Sequence, residues 1–182
     1  MSVSSPRHAP AAFHDAVTRR LHWATALLVT VLWIMGQTTG WLPRGPARVD
    51  VWSVHILLGF TLAGVIVARI VWRLRRGTLP SSGHDLLDIA AKIVHAVLYI
   101  LLVAVVTLGV INVFVHGFPL FNAWTFPGAD KELRGFINHW HKLAANAIAI
   151  VALLHAVAAL VHHYVLKDEV LARMAPWFRR TR

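Results

Sequence analysis

The chain has 182 residues, 57% of them hydrophobic and 14% charged, with a mean hydropathy of +0.60 and a formal charge of +10. That balance excludes an ordinary soluble domain of this length and describes one membrane domain, on which a basic excess marks cytoplasmic loops rather than a nucleic-acid surface. There is no cysteine, which excludes disulfides and thiolate-held metal centres, so any cofactor is held by histidine or oxygen ligands.

In chain order, Met1 to Arg20 is a polar, Pro- and Ala-containing segment, expected to be loosely ordered to about Phe13 and without the arrangement of a signal peptide. The first span, Leu21 to Trp41, follows Arg19 and Arg20 and is long enough to cross roughly 30 Å of hydrocarbon. A Pro/Gly turn leads to the second span, Val51 to Trp72, which carries His55 near its start and ends in a cluster of Arg69, Arg73, Arg75 and Arg76. After a Pro/Ser/Gly loop from Gly77 to His84, the third span runs from Leu86 to Val115 with His95 about two turns inside. The stretch from His116 to Asn138 is too polar to cross and is expected to hold a short interfacial helix around Asp130 to Phe136, among aromatic residues suited to headgroup depth. The fourth span, His139 to Asp168, precedes a tail with Arg173, Arg179, Arg180 and Arg182. The expected fold class is therefore all-α, an integral membrane four-helix bundle: an N-terminal segment (1–20), the membrane domain (21–168) and a basic tail (169–182).

With four spans, the N-terminus, the 73–92 loop and the tail share one side. That side holds 13 of the 18 basic residues with Arg69 included, leaving Arg44, Arg48, Lys131, Arg134 and Lys142 for the other. The positive-inside rule makes both termini cytoplasmic.

The fourth span carries the chemistry. His141 and His155 are 14 residues apart, which returns to within roughly 40° of one helix face and descends about 21 Å. His162 follows one heptad later. A polar ring inside a bilayer needs a partner, and two imidazoles at two depths suit two haem centres, whose iron takes axial imidazoles and whose macrocycle is apolar. His55 enters from the outer side at the level of His141, and the two can face each other. For His155, depth alone leaves His22 and His95 both open.

RLHW in the first span, VHILLG in the second, IVHAVLYILL in the third, and HKLAAN followed by LLHAVAALVHHYVLKD in the fourth resemble the bacterial cytochrome b561 family over about Arg19 to Met174. The resemblance implies a four-helix di-haem b protein, related to the cytochrome b subunits of nickel-iron hydrogenases. It implies that His22 and His155 ligate one haem iron and His55 and His141 the other. The likeness is greatest to members that oxidise superoxide and pass electrons to ubiquinone, implying a superoxide:ubiquinone oxidoreductase with two haem b.

Two function classes follow: an oxidoreductase taking electrons at the outer face and reducing quinone, or a membrane anchor and electron relay for a separate dehydrogenase. His95 and His162 are candidates for a quinone site in the cytoplasmic half, because quinone reduction consumes protons and imidazole exchanges them near neutrality. The bland reading of the ligand set is packing histidines bonded across helices. His8, His14, His84 and His116 read as solvated loop residues, and His139 points away from His141. Arg69 and Arg73 read as topology determinants, with pairing to haem propionates as the alternative. On the outer side, Arg44, Arg48, Lys131, Arg134 and Lys142 outnumber Asp50, Asp130 and Glu132, a modestly cationic mouth that steers superoxide or an acidic partner protein.

Overall fold

A computed structural model of the chain describes residues 15–76, 86–128, 130, 132–168 and 170–178. The segment before Asp15, the loop over 77–84 with His84, and Lys131 lie outside the described residues, as do His8 and His14. Four long helices carry the fold: α1 (Ala16–Thr38), α2 (Pro46–Arg76), α3 (Leu86–His116) and α4 (Leu133–Val161). All four are long and apolar enough to cross a membrane. A short hairpin of β1 (Pro119–Leu120) and β2 (Trp124–Thr125) and a terminal α5 (Val170–Met174) complete the chain.

α3 begins at Leu86, as expected, but the other three helices start earlier than hydrophobicity alone indicates, because capping chemistry sets their ends. Asp15 caps α1: Oδ1 accepts from the Val17 and Thr18 amides at 3.0 Å each, and Oδ2 accepts from the Thr18 hydroxyl at 2.8 Å and from Trp72 Nε1 on α2 at 3.3 Å. α2 opens at Pro46, whose missing N–H costs nothing in a first turn. The expected interfacial helix around Asp130 to Phe136 is absent as a separate element. Its second half is the first turn of α4, because Asp130 Oδ1 accepts from the amides of Glu132 (2.8 Å) and Leu133 (3.4 Å) and starts the long helix there.

Hydroxyls within the spans are satisfied locally. Thr25, Thr30, Thr38, Thr39, Ser53 and Thr61 each donate to the carbonyl four residues back, the arrangement that keeps a hydroxyl from facing lipid unpaired. α3 packs most extensively on α4 and α1 on α2, with the lightest seam between α1 and α4. The core is an apolar layer of Leu62, Ile66, Leu102 and Ile148, flanked by Leu28, Val29, Leu32, Leu98, Leu101 and Val106. Leu27, Ile34, Val67, Ile100, Ile150 and Leu153 face outward, which inverts the soluble pattern as expected of a surface solvated by lipid.

The hairpin is fastened to α2 by Ser53, which is fully buried: its hydroxyl accepts from the Phe121 amide at 2.8 Å. Phe121 and Asn122 take left-handed backbone angles in the turn, and Gly117 does so before it, approaching the backbone of Gly128 too closely for a side chain. At the other end, α4 passes through a π-helical turn (His162–Leu166) and the chain doubles back. Trp23 Nε1 donates to the Met174 carbonyl at 3.1 Å, tying the tail to α1.

Candidate functional site

Each helix carries its chemistry at seven-residue intervals around the apolar layer. Seven residues outward from Val29, Leu62, Leu102 and Ile148 lie Gly36, His55, Gly109 and His141; seven inward lie His22, Arg69, His95 and His155. Two turns of helix are about 10.5 Å, so the bundle has an outer imidazole level, an apolar middle and an inner imidazole level.

At the outer level the His55 and His141 rings face each other with centroids 6.5 Å apart. Two metal–nitrogen bonds of about 2.0 Å, plus about 1.1 Å from each nitrogen to its ring centre, would span roughly 6.2 Å. His141 Nδ1 donates to the Val105 carbonyl at 3.0 Å, which leaves the lone pair on Nε2, the usual support of a metal-bound imidazole. His55 Nδ1 is buried without a protein partner. A cavity of about 540 Å³ is lined by both histidines and by Gly36, Gly59 and Gly109, within the range of cofactor sites. Position 109 is tight: a Cβ there would sit 3.0 Å from His141 Cε1, so the ring would have to give by a few tenths of an ångström, while one at Gly36 would meet His55 Cε1 at an ordinary 3.9 Å. On the α1–α4 wall, Asn146 Oδ1 accepts from Trp33 Nε1 at 3.0 Å and Gln37 Nε2 at 2.9 Å.

At the inner level all four helices contribute a polar group. The His155 ring lies edge-on to His95 with centroids 5.1 Å apart, closer than two imidazoles can stand with a metal between them. His22 meets Arg69 Nη2 through Nδ1 at 3.4 Å. Arg69 is more than a topology determinant: its Nε donates to the Tyr99 hydroxyl at 2.9 Å, and both Arg69 and Arg73 lie over the Tyr99 ring, at 5.3 and 5.4 Å.

One heptad further, His162 Nδ1 pairs with Asp168 Oδ2 at 2.5 Å, while Asp168 Oδ1 accepts from the Val170 amide that opens α5. His163 is buried against Phe178. His139 is exposed, turned toward Trp140 and away from the site. His116 differs from the loop residue expected of it. It ends α3, bonds the Asn112 carbonyl at 3.1 Å, stacks on Phe118 and lines the outer cavity.

Above that cavity, a smaller one of about 290 Å³ is lined by Arg44, Arg48, Trp52 and Phe118. Trp52 and Phe118 line both cavities, and Trp52 meets His55 edge-on at 5.4 Å. Arg134 is directed elsewhere, donating to the Val115 carbonyl at 3.2 Å. The cationic mouth is therefore narrower than the charge count suggests.

Glycines, amides and the Asp168 carboxylate were not singled out by residue type. The signal that finds the glycines is the 14-residue interval: Gly36 stands to His22, and Gly109 to His95, as His141 stands to His155.

Four membrane-crossing helices with imidazoles gathered at two levels define a class, the multi-pass membrane cytochromes. The sequence profile of prokaryotic cytochrome b561 matches residues 14–177. The chain is 31% identical over 168 residues to "Probable superoxide oxidase CybB" of Yersinia pestis, covering 86% of this chain and 92% of that protein. It is 35% identical over 163 residues to "Cytochrome b562" of Cereibacter sphaeroides, covering 85% and 89%. It is 29% identical over 165 residues to "Cytochrome b561 homolog 1" of Escherichia coli K12, covering 86% and 93%. The chain belongs to the prokaryotic cytochrome b561 family. It is a membrane electron-transfer protein of oxidoreductase type, and haem b and iron binding follow from that membership. The outer level fits such a group on its own geometry: an imidazole separation of the right span, a buried nitrogen without a protein partner, and a clearing kept open by glycine.

Proposed function

We propose that this protein holds two haem b groups and carries single electrons from the outer face of a bacterial plasma membrane to ubiquinone, with superoxide as the donor. His55 and His141 would hold the outer group and His22 and His155 the inner one, and both termini lie in the cytoplasm. The observation that carries this reading is the opposed His55–His141 pair over a 540 Å³ cavity, with a further imidazole, His155, one 14-residue interval inward on α4. When bound, haem supplies reversible one-electron exchange at iron.

The residues around it do the rest. His141 is oriented by the Val105 carbonyl, and Gly109 leaves it room. Leu62, Leu102 and Ile148 separate the two levels with an apolar layer, which keeps water and protons from following the electron. Arg44 and Arg48 attract a small anion to the mouth, from which Trp52 and Phe118 lead to the outer cavity. The name of the Yersinia relative supports superoxide as that anion. Two superoxide ions yield two dioxygen molecules and two electrons; quinone takes both electrons and two protons to become quinol.

The quinone site belongs to the cytoplasmic half, with His95 and His162 beside it. Asp168 supports this assignment. Its carboxylate accepts from His162 Nδ1 and holds the ring in place, so that Nε2 can pass a proton toward the quinone.

Stopped-flow mixing of superoxide with the oxidised protein tests the reading. Haem reduction should far outpace a free-haem control and should be followed by quinol formation in vesicles containing ubiquinone. Reduction no faster than the control, with both haems present, would replace superoxide by a protein donor and favour the relay class.

A further inference from the structure

We propose that Arg69 is a positioning charge that makes the inner centre the stronger electron acceptor and so gives the electron path its direction. The inference rests on the two-level reading above, and it comes from comparing the levels helix by helix. At the outer level, the helices without a proposed ligand, α1 and α3, carry Gly36 and Gly109. At the inner level, the corresponding helices, α2 and α3, carry Arg69 and His95. The outer level is thus bounded by space and the inner level by a fixed cation.

The cation is held in place. Tyr99 stands one turn from His95 on α3 and takes the Arg69 Nε proton at 2.9 Å, while its ring lies under both Arg69 and Arg73. The free end of the guanidinium reaches the His22 ring at 3.4 Å. Arginine remains protonated throughout the physiological range, so this charge persists whatever the redox state. Among the described residues the outer level has no counterpart of this kind: Lys142, which lines its cavity, is exposed.

A centre that gains an electron gains negative charge, and a cation nearby favours that state. A centre held at the level of His22 would lie within about 10 Å of the guanidinium that reaches its ring, and at an effective dielectric of about 20 a unit charge at that range is worth tenfold or more in an equilibrium. Moving one electron from the outer to the inner centre oxidises the first and reduces the second. Arg69 weights that exchange inward without touching the donor.

The test is a spectroelectrochemical titration of the purified, haem-loaded protein with no donor or quinone present. The wild type should give two one-electron waves, the inner at the higher potential. Arg69→Gln should lower the inner wave by a tenfold loss of electron affinity, ~59 mV for a one-electron couple, and leave the outer wave in place. Arg69→Lys, which keeps the charge, should restore most of the shift. Two unmoved waves in Arg69→Gln would overturn the proposal, as would a Lys variant that falls as far as Gln. Should Arg69→Gln fail to load haem, Tyr99→Phe releases the guanidinium while keeping its charge. A smaller downward shift of the inner wave then supports the proposal, and no shift overturns it. A wild type with a single wave and one haem per chain would instead defeat the two-level reading itself.

Discussion

Adding one methyl group at position 109 should separate the stability of the bundle from the integrity of its outer centre. Gly109 lies inside α3, and a Cβ there would stand 3.0 Å from His141 Cε1. Carbon contacts settle at about 3.5 Å, so the imidazole must retreat by roughly 0.5 Å, against the hydrogen bond that fixes Nδ1 to the Val105 carbonyl at 3.0 Å. Displacing the support of a metal-bound imidazole typically costs 10- to 100-fold in affinity, and a loss of that size is expected for the outer haem. The same change replaces a helical glycine by alanine, worth about 1 kcal/mol in favour of the helix. Gly109→Ala should therefore unfold no more readily than the wild type while losing one haem of two. Gly36→Ala is the matched control, because its Cβ meets His55 Cε1 at an ordinary 3.9 Å, and it should keep both. The assay is haem per chain by pyridine haemochrome across a haem titration, with thermal unfolding alongside. If Gly109→Ala binds two haems with wild-type affinity, glycine is not what keeps that site open and the proposed ligand geometry is wrong.

Asp168→Asn should leave haem reduction intact but slow quinol formation; Asp168→Glu should recover it, and quinol formation at the wild-type rate in Asp168→Asn would remove the dyad from the proton route. Charge reversal at Arg44 and Arg48 should slow haem reduction by superoxide and flatten its dependence on ionic strength, since surface charges are screened over about 10 Å at 0.1 M salt; rates that ignore both would show that the mouth does not steer. The Thr18 amide, above all, holds the Asp15 carboxyl down to about 2. A folded-state value below the unfolded one contributes stability that is complete above the ordinary aspartate range and disappears as pH falls through about 2. Asp15→Ala should thus cost about 1 kcal/mol at pH 7, as for a lost helix cap, and the variant should converge with the wild type in acid; an equal difference at pH 7 and pH 2 would contradict the cap.

The fold was readable because lipid-facing helices advertise themselves: four apolar stretches and a lopsided Lys/Arg count leave few other architectures. Helix ends were less legible. Asp15, Pro46 and Asp130 start their helices outside the apolar runs, by capping chemistry that hydropathy does not weigh. Within the site, the 14-residue interval from His141 to His155 was visible at once, since histidine is conspicuous in a span. The equivalent interval from His95 to Gly109 was not, because glycine contributes by absence. The partner of His155 stayed ambiguous for a physical reason: His22, His95 and Arg69 share one level, so depth cannot rank them. Separation can help, since 5.1 Å between His95 and His155 is short for two ligands of one metal. Asp168 was hidden because its pairing with His162 depends on the π-helical turn between them, which no periodicity announces.

The central claim is two haem centres stacked on α4, each held by its own histidine pair. Haem stoichiometry with low-temperature spectra of the wild type, His141→Ala and His155→Ala tests it most directly. The account predicts two low-spin haems b per wild-type chain, with the outer one absent in His141→Ala and the inner one absent in His155→Ala. A wild type with one haem, or a His155→Ala variant that retains two low-spin haems, would contradict it.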